Sequence, residues 1–116
     1  MILIIADDLT GANDTGVQFQ KKGYSTFVDV LSKDECQNDL EAYDVISINT
    51  DSRSLSKKEA YDKVYHISKK YINSKISVLY KKIDSMFRGH PGSELDAVMD
   101  ASGLNVAFVA PSYPEN

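Results

Sequence analysis

The sequence predicts an α/β domain: a doubly wound, mainly parallel sheet of about five strands with helices on both faces, in three αβα layers. Three observations carry this. The chain opens on an unbroken apolar run, Met1 to Ala6, which reads as a strand buried on both faces, as in the middle of a parallel sheet. A polar, glycine-bearing segment, Asp7 to Gly16, leaves its carboxyl end, where open α/β sheets hold their ligands. Behind it, β-rich runs alternate with helical patterns, the mark of parallel β-α-β units.

The elements follow in order. Thr10 can cap a helix from about Gly11 to Lys22, with Gly23 as its stop and a thin apolar stripe of Ala12, Val17 and Phe19. Tyr24 to Leu31 reads as the second strand. Ser32 to Glu41 is polar and weakly patterned, a connection with one helical turn at most. Asp44 to Asn49 holds Val-Ile-Ser-Ile and reads as the third strand. Ser56-Lys57-Lys58-Glu59 is a capping box, and the helix it opens runs to about Asn73. Ala60, Val64, Ile67 and Tyr71 fall on one face of that helix, with its lysines on the solvated side. Lys75 to Tyr80 is the fourth strand. Pro91 suits the first turn of a helix to Ser102, with Leu95, Val98 and Met99 inward and Gly103 ending it. Asn105 to Ala110 is the fifth strand, and Pro111 to Pro114 a loop.

At 116 residues the chain makes one domain. With 42% hydrophobic and 26% charged residues the composition is globular. The net charge of −4 excludes a general nucleic-acid or anionic-membrane binder, because no basic surplus exists to release counterions. One cysteine, Cys36, permits no internal disulfide and suits a reducing compartment. No signal peptide and no membrane span is evident, so a cytoplasmic location is expected.

The chemistry gathers behind the strands. Asp7, Asp8 and Asn13 follow the first; Asn49, Thr50, Asp51, Ser52 and Arg53 the third; Lys81, Lys82, Asp84, Ser85 and Arg88 the fourth. In a parallel sheet all these lie on one edge. Both arginines of the chain fall there, and arginine holds carboxylates and phosphates bidentately. Arg88 precedes a helix start, whose free N–H groups favour an anion. The aspartates suit sugar hydroxyls, a metal or the role of base. Blander roles exist: a turn cap for Asp84, a surface turn for His90, an edge-strand guard pair for Lys81-Lys82. No G-x-G-x-x-G, no phosphate loop and no metal-ligand spacing is present, so no nucleotide is held here by a standard loop.

Three ordered motifs, Ala6-Asp-Asp-Leu-Thr-Gly-Ala-Asn-Asp-Thr-Gly16, Asn49-Thr-Asp-Ser-Arg53 and Lys81-Lys-Ile-Asp-Ser-Met-Phe-Arg-Gly89, strongly resemble the four-carbon acid sugar kinase family. The resemblance spans essentially the whole chain. It implies an ATP-dependent kinase acting on a hydroxyl of a threonate, erythronate or 3-oxo-tetronate type acid. Such an enzyme has an N-terminal sugar-acid-binding domain and a C-terminal nucleotide-binding domain. This chain corresponds to the front part of the first, and by itself is expected to lack activity. ATP with Mg2+ would be bound mainly by the second domain. By motif, Asp7 and Asp8 would contact the substrate, Asn49, Asp51 and Arg53 would line the cleft, and Lys82, Asp84, Ser85 and Arg88 would hold the acid. A homo-oligomer is compatible with this reading. Where the family pattern reads Asp-Ser-Thr-Leu-Arg-Gly, Met86 and Phe87 stand here, which removes one hydroxyl. Two other readings compete: a non-catalytic sugar-acid-binding module, and a receiver-like phosphoacceptor domain. The latter wants a lysine at the end of the fifth strand, where this chain has Ala110-Pro111.

Overall fold

The computed structural model describes residues 1–30 and 40–111. Four parallel strands, β1 (Ile2–Ala6), β2 (Thr26–Asp29), β3 (Val45–Asn49) and β4 (Val78–Lys82), form one sheet in the order β2-β3-β1-β4. Helix α1 (Leu9–Lys21) connects β1 to β2 and α2 (Lys57–Tyr71) connects β3 to β4, α3 (Pro91–Ser102) follows β4, and a short 3-10 turn at Leu40–Ala42 precedes β3.

The continuous apolar run of β1 fits its central place: Leu3 to Ala6 are fully buried, flanked by β3 and β4. Leu3 and Ile5 join Ile46 and Ile48 in a core with Val64 and Tyr71 of α2 and Ala97 and Val98 of α3. Helix α1 covers the other face, where Ser47 Oγ donates to the Ala12 carbonyl at 2.8 Å. Burying these apolar side chains supplies the main driving force, at about 1.5–3 kcal/mol for each large one.

Helix α1 meets the sheet through small residues, Gly11, Ala12, Thr15 and Gly16, rather than the expected Ala12, Val17 and Phe19; Val17 is exposed. A Cβ at Gly16 would lie 3.2 Å from Val28 Cγ2, so the helix packs tightly on the sheet there and a larger residue would press on Val28. Its cap is Asp8, not Thr10. The Asp8 carboxylate accepts from the Gly11 amide at 2.8 Å, and aspartate is the stronger cap. The capping box of α2 forms as expected, with Ser56 accepting from the Glu59 amide and Glu59 from the Ser56 amide. Ser68 joins Ala60, Val64 and Tyr71 on its buried face, and Ile67 is only partly buried.

Strand β4 starts three residues later than expected. The Asn73 side chain accepts from the Lys75 amide and the Asn73 carbonyl from the Ile76 amide, so a local turn displaces the strand. Helix α3 has the expected bounds, but Glu94, Ala97, Val98 and Ala101 are its buried residues, while Leu95 and Met99 face a cavity of about 700 Å3. Residues 105–110, read as a fifth strand, form none: Val106, Phe108 and Val109 are exposed. A parallel strand needs cover on both faces, and among the described residues no element after α3 supplies a second layer there. The end of the second strand, at Leu31, most of the connection that follows and the residues after Pro111 lie outside the described residues.

Candidate functional site

Strand register sets the site. Ala6 pairs with Asn49 on one side and Lys82 on the other, so the three motif loops leave the sheet at one level. The connection from β1 crosses one face through α1 and that from β3 the opposite face through α2. A crevice opens where such connections part.

Arg53 is its hub. The guanidinium donates to Asp7 through Nε and Nη2, both at 3.0 Å, in a bidentate pair. Nη1 lies 3.1 Å from Asp8 Oδ2, and Nη2 3.7 Å from Asp84 Oδ1. Carboxylates from the β1 and β4 loops thus converge on one cation from the β3 loop. The hydrogen bond to Asp7, helped by the other two carboxylates, raises the Arg53 pKa above its ordinary value. The backbone reinforces this, because the Ser52 and Arg53 amides both donate to the Asp7 carbonyl. Asp7 itself is buried and Asp8 half-buried.

Asp84 organises the third loop. Its Oδ2 accepts from the Met86 and Arg88 amides at 3.0 and 3.2 Å, and Arg88 donates bidentately at 3.0 and 2.8 Å. Those bonds, the Arg88 side chain foremost, hold the Asp84 carboxyl well below the ordinary carboxylate range. The turn puts Phe87 at φ 57° and Gly89 at φ 81°. Gly89 is required twice over. A Cβ there would lie 2.9 Å from Asp7 Oδ2, besides the strained backbone.

Lys82 reaches the same crevice. Its Cγ would lie 3.3 Å from a Cβ at Gly11, beside the Asp8 carboxylate. Its ammonium donates to the Ile83 carbonyl, and among the described residues no carboxylate pairs with it.

Not every expected residue joins this cluster. Asn49 shapes the loop, accepting from the Asp51 amide at 2.9 Å and donating to the Val30 carbonyl at 3.3 Å. Asp51 is exposed at φ 48°. Ser85 lies in the turn and lines the apolar cavity beside β4 and α3. Lys81 is no edge guard: its side chain is only 5% exposed and lies 3.3 Å from Glu94. Ser52 and Thr50, in the loop motif, lie beneath the loop, where Ser52 donates to Glu94, a residue that no motif in the chain marks.

Among the described residues no group of three or more His, Cys, Asp or Glu side chains could hold a metal ion. The crevice aspartates instead turn to arginine, so the residues present do not fit Mg2+.

A family model described as a sugar-binding N-terminal domain matches residues 2–116. The chain belongs to this domain family, that of the four-carbon acid sugar kinases. It is 43% identical over 115 residues to a D-erythronate kinase of Heliobacterium modesticaldum, covering 97% of this chain and 26% of that protein. It is also 43% identical over 114 residues to a D-threonate kinase of Salmonella typhimurium, covering 97% of this chain and 26% of the relative. The chain therefore spans about a quarter of the length of these relatives. A crystal structure of a domain of unknown function from Bordetella bronchiseptica, a domain-swapped dimer with bound citrate, matches with a TM-score of 0.80. It is 34% identical, covering 86% of this chain and 25% of that one. The expected α/β fold stands, with four strands in place of about five.

No helix among the described residues is long and apolar enough to cross a membrane.

Proposed function

We propose that this chain is the acceptor-binding part of an ATP-dependent kinase that phosphorylates a hydroxyl of a four-carbon sugar acid of the erythronate or threonate type. The observation that carries this is the convergence of Asp7, Asp8, Arg53, Asp84 and Lys82 at the carboxyl edge of one sheet, in a domain whose relatives are D-erythronate and D-threonate kinases. The citrate bound to the Bordetella relative is a small polycarboxylate and supports an acid ligand.

Roles follow from side-chain chemistry. Lys82, which has no carboxylate partner among the described residues, attracts the acid group, with Arg88 at the rim. Asp8 and Asp7 accept from sugar hydroxyls, and Arg53 holds both in place. Asn49 and Asp51 shape the wall, while Asp84 and Ser85 set the turn that carries Arg88. Phosphoryl transfer asks little covalent chemistry of the protein, so this part would act by holding one hydroxyl in line with the γ-phosphate. ATP and Mg2+ would come with residues beyond this chain, and this chain alone would bind without turnover. Homo-oligomerisation belongs to the same reading, supported by the relative's dimer and by the exposed apolar side chains of Val106, Phe108 and Val109.

The test is an NMR titration of the chain with D-threonate, D-erythronate and the neutral polyol erythritol. Shifts at residues 7–8, 49–53 and 82–89, for the acids alone, are expected. A folded spectrum that responds to none, or equally to erythritol, would overturn the assignment.

A further inference from the structure

Behind the crevice lies a buried polar chain that the proposed binding roles do not use. Glu94, in the first turn of α3, is 1% exposed. Its Oε1 accepts from Ser52 Oγ at 2.9 Å and lies 3.3 Å from Lys81 Nζ. Lys81 Nζ also donates to the Lys82 carbonyl at 3.0 Å. Ser52 Oγ lies 2.7 Å from Thr50 Oγ1, which is 2.9 Å from the Ala6 carbonyl. Each hydroxyl has one proton: Ser52 gives its own to Glu94, and Thr50 shares its own between Ser52 and Ala6. The chain thus runs from α3 to the carboxyl ends of β1, β3 and β4. Ala6, Ser52 and Lys81 are the immediate neighbours in sequence of Asp7, Arg53 and Lys82.

We infer that Glu94 and Lys81 form a positioning pair, whose role is to present Arg53 and Lys82 at the crevice rather than to stabilise the fold. Two observations favour this over a purely structural pair. A buried ion pair gains little net stability, because desolvation offsets the attraction. The second oxygen of Glu94, Oε2, is buried with no hydrogen-bond partner among the described residues, a cost that an apolar residue of similar size would not incur. The desolvated Lys81, its pKa lowered by burial against the pull of Glu94 and Asp7, has no better partner at hand. The geometry here is independent of the ligand; only the binding readout rests on the sugar-acid reading.

The experiment compares the parent chain with Glu94→Gln and with the double variant Lys81→Met/Glu94→Leu. Three quantities are read: melting temperature, the 1H–15N signal of Arg53 Nε–H without ligand, and affinity for D-threonate. The double variant is expected to melt near the parent. Its Arg53 Nε–H signal should move toward that of a free arginine, and D-threonate should bind at least about tenfold more weakly, since small displacements in a preorganised site are costly. An Arg53 signal unmoved in the folded double variant overturns the inference, as does unchanged D-threonate affinity in a chain whose parent binds it. If the double variant does not fold, Glu94→Gln, which keeps the side-chain volume and an acceptor for Ser52, is read by the same Arg53 signal and the same criterion. If the parent ignores D-threonate while the Arg53 signal moves in the variants, the positioning role stands and the sugar-acid reading falls.

Discussion

The two arginines occupy equivalent places in the sequence, each in a loop behind a parallel strand, yet they stand in unlike regions of the molecule. Arg53 is 25% exposed and binds carboxylates 45 and 46 positions before it and one in the β4 loop. Arg88 is 67% exposed and, among the described residues, binds only Asp84, four residues back in its own turn. Arg53 is thus a tertiary crosslink, whereas Arg88 is a local clamp with its outer face in water. The difference separates a residue that the site is built on from one that can respond to an incoming ligand.

The largest expected effect follows from the first region. Arg53→Ala leaves Asp7 buried with both oxygens unpaired, and removes the charge that gathers Asp8 and Asp84. Breaking such a pair costs more than the pair contributed, since the remaining carboxylate stays desolvated. Partial exposure of the arginine screens the interaction, so a loss of about 2 kcal/mol in unfolding free energy is expected. Urea denaturation measures it. Arg53→Lys should restore only part, because an ammonium cannot reproduce the bidentate pair. Stability equal to the parent's in Arg53→Ala would remove the contrast between the two arginines.

A smaller effect is expected at Gly89, where the regions meet. The positive φ alone costs an alanine about 1–2 kcal/mol. The added Cβ would also press on Asp7 Oδ2 at 2.9 Å and Arg53 Cγ at 3.3 Å. Gly89→Ala should therefore lower stability by about that amount and also shift the Asp7 and Arg53 resonances. Gly23→Ala shares only the positive φ, with nothing near its Cβ, and should leave those resonances in place.

How much of this was legible beforehand divides on the same line. The edge that gathers Asp7, Asp8, Arg53, Asp84 and Arg88 could be read from sequence, because parallel strands end together and their loops must face one crevice. Helix bounds set by local chemistry, such as Ser56 with Glu59 or Pro91 with Gly103, could be read as well. What depended on distant contacts could not. Glu94 resembles an ordinary acidic residue in a helix first turn, where such residues normally sit in water. Here it is buried, against Ser52 of the loop after β3 and Lys81 of β4. Asn49 and Asp51 were placed in the wall by their position behind the third strand and by motif, neither of which shows that the Asn49 side chain also caps the turn by accepting from the Asp51 amide. The expected fifth strand had the right composition but lacked cover.

The smallest expected effect belongs to the Arg88 clamp and concerns pH more than stability. Because the folded Asp84 pKa is depressed, its contribution is fully present above the ordinary aspartate value of about 4 and is lost only as pH falls through the lower folded value. The Asp84–Arg88 turn should thus persist in acid after ordinary carboxylates have protonated. In Arg88→Ala the largest cause of that depression is gone, leaving the Met86 and residue-88 amides as donors. The Asp84 carboxyl should then titrate closer to the ordinary value, as followed by its 13C shift. Melting temperature at neutral pH should fall less than in Arg53→Ala, since Arg88 is itself largely exposed and the buried Asp84 carboxylate keeps its two amide donors. Affinity for D-threonate should fall by about tenfold, the loss of one charged contact at the rim. If Asp84 titrated alike in parent and variant, the clamp would not form in solution. If the variant unfolded, Arg88 would be a crosslink like Arg53.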